Sequence, residues 1–425
     1  MKIGILTMFN GLSNTYSLVN VVKEQIKMLL DDGMQVKMLV SEHCPDSERS
    51  GIFLDTRIEW VKIVNSENQS MFHWKTYTKK DDIIEKDFFH QANIIKCDFV
   101  KHLQDVDVLI MHDILYQGVH LIHNVAIRLA QKELPGVRFI AVAHSAPIEH
   151  IDAPYPISCM FCDMKNTKFV YPTQCGLQAL SKQYQTDIKN CACVNNSIDV
   201  MIGMNEQTKS IVKTSGIINK DVVIVYPARL TMGKKLHKVA QVAGYIKRYC
   251  YKSVGVVFCD FPCSNIDPEL YKNIILDYGI KGGLDKEDIV FTSDIGFSKG
   301  VKRETVFDLF SLSNLFICPS FSESFGLTVI EAASRANFIV LNEAVPALDE
   351  IGKKIGAYFM RWDAKNFGYD TFESYNPSES IYLIDHAQKI VSAMELDVVV
   401  KAKTLARCHY SNDWIYKNQL KPLLY

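Results

Sequence analysis

A chain of 425 residues exceeds what one ordinary core organises, so two domains are expected. With 48% hydrophobic and 22% charged residues and a net charge of -1, it has the make-up of a globular protein with no whole-chain attraction to nucleic acid or anionic membrane. No apolar run reaches the length of a membrane span, and twelve cysteines in a chain of this size read as reduced thiols rather than a disulfide framework.

The opening "MKIGILTMFNGLSN" has too short an apolar core for a secretion signal and reads as a first strand, which sets the expectation of a cytoplasmic protein. "SLVNVVKEQIKMLLDDG" then has the apolar spacing of an amphipathic helix, and "QVKMLVS", "DVLIMHD", "RFIAVAHS" and "KFVYPT" have the length and content of buried strands. The alternation starts again near Val222. It runs through "VVIVYPA", a helix from about Leu236 to Tyr249, "VGVVFCD", a helix near Leu270 to Tyr278, "DIVFTS", "NLFICPS" and "NFIVLN". Two such series predict an α/β protein of two doubly wound Rossmann-like domains facing a central cleft, with ligands at the carboxyl ends of the strands. The first domain is expected over 1–205, with an insertion at about 60–101, and the second over 206–395, with a hinge near Met201 to Lys220. The aromatic-rich end "NDWIYKNQLKPLLY" predicts a C-terminal helix within 396–425 that packs back on the first domain.

The chemistry concentrates at two loops of the second series. In "PSFSESFGLTVIEA" the strand Leu315 to Cys318 meets a helix starting near Gly326, whose unpaired N–H groups and dipole favour an anion. Glu323 precedes those donors and Glu331 lies two turns into the helix. Neither suits a phosphate, and both are good acceptors for hydroxyl groups. The pair therefore points to a ligand that is anionic in the middle and hydroxyl-rich at its ends, as a nucleotide sugar is. In "VYPARLTMGKKLHK", Arg229 and Lys234 follow the first strand of the same domain and supply a bidentate and a mobile cation for a diphosphate. The alternatives are a pair of solvated cations and an ordinary helix-start glutamate. "MGKK" is not a P-loop, because the earlier glycine and the following Ser or Thr are missing.

With these residues at corresponding strand ends, the sequence resembles the family 4 retaining glycosyltransferases of the GT-B fold, most strongly over Val222 to Gly352. "ARLTMGKK" looks like the family's G-R-L-x-x-x-K-G stretch and "ESFGLTVIE" like its E-x7-E signature. The resemblance implies that Arg229 and Lys234 hold the donor diphosphate, Glu323 contacts the transferred sugar and Glu331 the ribose. It also turns Ser324, Thr328 and the backbone of Phe325, Gly326 and Leu327 toward sugar and phosphate. Weaker matches lie in the first half. "NNSID" at Asn195 to Asp199 resembles the N-G-[VI]-D junction with Ser197 in place of glycine, and Gly11 stands for a phosphate-approaching glycine loop. "AVAHS" would make His144 a catalytic-site residue, while the residues alone allow a buried strand-end histidine equally.

The resemblance further implies a nucleoside diphosphate sugar as donor, no required cofactor and no catalytic metal. Asp105 and Asp107 supply an Asp-x-Asp string, but they precede a strand where a ligand site follows one. Cys159, Cys162, Cys191 and Cys193 precede two predicted strands and are either a structural zinc site or ordinary thiols. Within the insertion, Trp74, Lys75, Tyr77, Lys79 and Lys80 are the candidates for acceptor contacts. A glycan or lipid-linked glycan is the default acceptor. A phage-type enzyme that glycosylates a hydroxymethylated pyrimidine in DNA is the alternative, motivated by a lysine-, Asn-, Ile- and Tyr-rich composition. A non-catalytic nucleotide-sugar-binding protein is the third reading.

Overall fold

The computed structural model describes residues 1–65, 86–263, 266–366, 369–371 and 379–425. Apolar runs with little polar alternation become the central strands, and most strands are followed by a helix whose apolar stripe covers the sheet. In the first half these are β1 (Lys2–Leu6), α1 (Ser17–Asp31), β2 (Gln35–Ser41), β3 (Ile58–Ile63), α2 (Lys86–Leu103), β4 (Val108–His112), α3 (Leu121–Gln131), β5 (Arg138–Val142), β6 (Thr167–Tyr171), α4 (Leu177–Tyr184) and β7 (Cys191–Cys193). The second half supplies α5 (Glu206–Ser215), β8 (Val222–Arg229), α6 (Leu236–Cys250), β9 (Val254–Phe261), α7 (Pro268–Gly282), β10 (Ile289–Phe291), α8 (Arg303–Leu312), β11 (Leu315–Cys318), α9 (Leu327–Ala333), β12 (Phe338–Asn342), α10 (Pro346–Ile355) and β13 (Tyr358–Met360). An antiparallel pair of β14 (Ala364–Asn366) and β15 (Tyr369–Thr371), α11 (Glu379–Leu396), α12 (Val398–His409) and a short α13 (Asn412–Ile415) complete the described elements.

The chain forms two compact units, 1–199 with 412–425, and 200–411. Unit 1 holds a sheet ordered β3-β2-β1-β4-β5-β6-β7 and unit 2 one ordered β10-β9-β8-β11-β12-β13, with all neighbours parallel. Both orders step outward, return to the middle and step out the other way. This is the doubly wound Rossmann-like arrangement, and it leaves a switch point between β1 and β4 in one sheet and between β8 and β11 in the other. Residue alternation sorts each strand between two cores. On β4, Val108 and Ile110 join the cluster on the α1 face, and Leu109 and Met111 join the one that packs on α2 and α3.

The polypeptide leaves unit 2 after α12 and returns to unit 1 at Asn412. The helix α12 is held in unit 2 by Arg407, whose guanidinium donates to the carbonyls of Ile217 (3.0 Å), Ile218 (2.8 Å) and Lys220 (2.6 Å). The last fourteen residues, 412–425, are held in unit 1. There Tyr416 donates to Asp32 (2.7 Å), Gln419 exchanges two hydrogen bonds with Asn195, and Leu420 and Leu424 are buried beside α1. Of the stretch 60–101, β3 takes the first residues and α2 the last. No helix among the described residues is long and apolar enough to cross a membrane.

Candidate functional site

In unit 2 the loops after β8 and β11 flank the switch point, and the backbone stitches them together. Phe321 N–H donates to the carbonyl of Gly233 at 2.8 Å. From inside β8, the buried hydroxyl of Tyr226 reaches the carbonyl of Lys234 (3.1 Å) and the hydroxyl of Ser320 (3.2 Å). A third strand end is bolted on by Asn342, which is fully buried. Its amide donates to Ser320 O at 3.1 Å, and its Oδ1 accepts from the N–H groups of Ala344 (3.2 Å) and Trp362 (3.0 Å).

This scaffold separates the two adjacent lysines. Lys235 takes a left-handed conformation (φ 50°), which turns its side chain inward. There its ammonium donates to Asp363 O at 2.7 Å, pairs with the Asp363 carboxylate and lies 5.3 Å from the Phe321 ring centre. Burial lowers its pKa even with that carboxylate beside it. Lys234 points the other way and forms an ion pair with Glu323 across the two loops. Arg229, the last residue of β8, is exposed and has no side-chain partner among the described residues.

Gly326 starts α9 with φ 84°, a left-handed value that disfavours a side chain. A Cβ there would stand 3.0 Å from Leu348 Cδ2 and 3.2 Å from Val329 Cγ2. The glycine therefore lets the loop turn tightly onto α10 before the helix begins. Ser324, Phe325 and Leu327 are exposed on this turn and Thr328 is half-buried. Glu331 lies one helical turn further on, and its Oε1 accepts from Arg303 Nε (3.1 Å) and Nη2 (2.8 Å) of α8. The structure thus brings Lys234 and Glu323 into contact and gives Glu331 a different cation.

Residues 207–354 match the family model of glycosyl transferases group 1. The matched segment runs from α5 into α10, about a third of the chain, and contains every unit 2 residue singled out from the sequence. No curated protein sequence matches the chain. Among solved structures, a glycosyltransferase from Rickettsia africae shares 14% identity over 99% of this chain and 97% of its own, with a TM-score of 0.35. The apo form of the lipopolysaccharide outer core galactosyltransferase WaaB shares 13% over 100% and 99%, with a TM-score of 0.37. HepE from Anabaena, solved with UDP, shares 12% over 100% and 99%, with a TM-score of 0.35. These scores are low, and the fold assignment rests on the strand order of the two sheets.

Outside the group 1 segment, unit 1 has its own rim of strand ends. Gly11 follows β1, and a Cβ on it would lie 3.1 Å from Glu48 Oε2, which also accepts from Leu12 N–H at 2.6 Å. A carboxylate thus occupies the loop at the point where the resemblance places phosphate. His144 stands two residues beyond β5, with its N–H donating to Asp113 Oδ1 (2.9 Å) and its Nε2 2.8 Å from Nδ1 of the buried His112. Burial pushes the His144 pKa down to about 4, so the ring is neutral at pH 7.

Cys191 and Cys193 make up β7 instead of preceding a strand, and Cys159 and Cys162 sit in and just after a 3-10 turn. Among the described residues no group of three or more His, Cys, Asp or Glu is placed to hold a metal ion, and the four cysteines are free thiols, one of the two readings the sequence allowed. Arg128 holds the Cys159 and Cys162 carbonyls (3.0 and 2.8 Å), which fixes that turn. Asp105 pairs with Lys2 and Lys37, and Asp107 accepts from the Lys2 N–H, at the amino ends of β1 and β4 and away from the strand ends that carry ligands. Trp74, Lys75, Tyr77, Lys79 and Lys80 lie outside the described residues.

Sequence reasoning missed Tyr226, Lys235, Arg303, Asn342 and His112. A signal existed for Tyr226, since a tyrosine among the aliphatic residues of "VVIVYPA" buries a hydroxyl that needs a partner. None existed for Arg303, whose partner Glu331 lies 28 residues on, or for the Asn342 contacts with Ser320 and Trp362, 22 and 20 residues away.

Proposed function

We propose that the chain is a retaining, family 4 type glycosyltransferase that moves a sugar from a nucleoside diphosphate sugar to an acceptor hydroxyl. The observation that carries this reading is the Lys234–Glu323 ion pair, held across two loops at the switch point of unit 2, inside the segment that matches glycosyl transferases group 1. A diphosphate arriving there competes with Glu323 for Lys234 and adds the exposed Arg229 as a second cation. Glu323, released, is then free to accept hydroxyl hydrogen bonds from the sugar. Glu331, oriented by Arg303, does the same for the ribose, while Ser324, Thr328 and the backbone around Gly326 face sugar and phosphate.

In the proposed reaction the bond from the anomeric carbon to the diphosphate oxygen breaks as the acceptor oxygen bonds to that carbon from the same face. The acceptor proton passes to the departing diphosphate. Arg229 and Lys234 stabilise the growing negative charge, a contribution on the order of 100-fold to 1000-fold in rate for one such group. They fill the charge role of a divalent metal, and no protein carboxylate acts as nucleophile. The acceptor is a glycan or lipid-linked glycan, and the protein acts in the cytoplasm.

A mass-spectrometric transfer screen in EDTA tests this, offering a panel of nucleotide sugars to a bacterial glycan and lipid extract and to DNA containing hydroxymethylated pyrimidines. A sugar-mass increment in the glycan or lipid pool, lost in Glu323→Ala, is the expected result. An increment on DNA nucleosides would replace the acceptor assignment, and no transfer or donor hydrolysis with any sugar, with or without metal, would overturn the enzyme reading.

A further inference from the structure

Adjacent parallel strands β4 and β5 pair His112 with Val142, and side-chain alternation puts His112, Val142 and, two residues on, His144 on one face of the sheet. That face is covered by α1 and carries Ile110 and Val142 in its core. His112 is fully buried there and His144 reaches the surface. Their ring centroids are 5.1 Å apart, the planes are 19° from parallel, and Nδ1 of His112 lies 2.8 Å from Nε2 of His144. So short an N···N distance beside so long a centroid separation means the rings meet edge to edge, with the hydrogen bond near both ring planes.

One proton lies between these two nitrogens, and the far nitrogen of His112 decides whose it is. His112 Nε2 is buried and has no hydrogen-bond partner among the described residues. If the shared proton belonged to His144, neutral His112 would carry its own on Nε2, as an N–H facing apolar surroundings. Buried orphan N–H groups are rarer than under-satisfied acceptors, because a donor left without an acceptor forfeits its whole hydration. The lower-energy arrangement has His112 protonated at Nδ1 and donating to His144 Nε2. A neutral His144 whose Nε2 accepts must then carry its proton on Nδ1. Asp113, left-handed at φ 59°, fixes the same segment through the His144 backbone N–H.

We infer that His112 is a positioning residue that locks His144 as a neutral Nδ1–H donor, so that this rim of unit 1 recognises an oxygen lone pair on its ligand. Its use toward a sugar or phosphate oxygen rests on the proposed function, whereas the tautomer does not.

The test is long-range 1H–15N correlation on 15N-histidine-labelled protein at pH 7 with no nucleotide sugar, His144 being assigned by loss of its signals in His144→Gln. His144 is expected to show a protonated Nδ1 and a bare Nε2. His112→Asn puts an amide N–H where Nδ1 stood and retains that pattern. His112→Phe keeps a ring of similar size with no donor and moves His144 toward the Nε2–H form. A wild-type His144 already protonated at Nε2, or one unchanged in His112→Phe, would overturn the inference. If His112→Phe does not fold, the wild type and His112→Asn spectra decide it. In a second arm, calorimetry with UDP-glucose, GDP-mannose and UDP-N-acetylglucosamine is expected to show affinity weakened about 5-fold to 10-fold in His112→Phe and recovered in His112→Asn, the loss of one hydrogen bond. Failure of wild type to bind any of them would count against the proposed function and leave the tautomer result standing.

Discussion

The two units repeat one strand order and differ in what they put at its carboxyl edge. Unit 2 presents charge, with Arg229 exposed, Lys234 paired to Glu323 and Glu331 paired to Arg303. Unit 1 presents the neutral imidazole of His144, backed by the buried His112, with a carboxylate at the loop where Gly11 lies. Their shared topology therefore gives each sheet the same kind of carboxyl edge and leaves open what groups that edge carries. Charge suits a leaving diphosphate, while a neutral donor suits an uncharged hydroxyl.

The largest test of that contrast is to remove charge from unit 2. Lys234→Met is expected to lower kcat/KM by about 100-fold to 1000-fold, and steady-state kinetics with a chosen donor would show whether the rim of unit 2 stabilises developing charge. A loss under about 5-fold would dissolve the distinction between the rims.

Acid separates the units next. Burial holds His120 and His144 at about 4 and His123 at about 3 in unit 1, the last helped by the neighbouring His120, against His237 at about 4 in unit 2. A base whose folded pKa is depressed leaves the unfolded chain binding more protons between the two values, so stability is lost as pH falls from about 6.5 toward those values. Each such imidazole contributes a few kcal/mol to that loss. In unit 2, burial pushes the Lys403 pKa down to about 7, so the same rule makes stability rise between pH 7 and about 10.5. Hydrogen exchange read peptide by peptide is expected to show unit 1 opening first at pH 5. Unit 2 opening first would break the comparison.

Packing behind the charged rim gives a smaller effect. Asn342→Ala leaves two N–H groups and a carbonyl without partners and is expected to cost about 3 kcal/mol by denaturant melts followed on unit 2. Gly326→Ala forces a side chain into a left-handed turn against Leu348 and is expected to cost about 1–2 kcal/mol. Its donor affinity, measured beside its stability, should fall as well, since the loop that carries Glu323 must shift. Unchanged affinity would place the Gly326 turn outside the site.

Legibility in the sequence followed the range of the forces. "NLFICPS" and "LTVIEAA" became β11 (Leu315–Cys318) and α9 (Leu327–Ala333) without adjustment, because a buried strand and a short helix are bounded by local signals, here Asn, Pro and Gly. The C-terminal stretch behaved differently. Its apolar spacing announces helices but not which core they cover, and buried Arg407 holds α12 in unit 2 while Tyr416 and Leu424 dock only 412–425 on unit 1. The cysteines show the same limit. Their spacing allowed a zinc site, and the strand assignment of Cys191 and Cys193 took two of the four thiols into a sheet edge.

By itself the sequence determined the two doubly wound units, the strand-end loops that flank their switch points and the residue types those loops carry, since each follows from local periodicity and turn chemistry. Only the tertiary structure decided that Lys235 and not Lys234 is the buried lysine, that Glu331 belongs to Arg303, and that His112 stands behind His144. Those outcomes depend on which groups meet across strands far apart in the chain. The cost of leaving a buried donor or charge without a partner, which no local pattern records, selects among them.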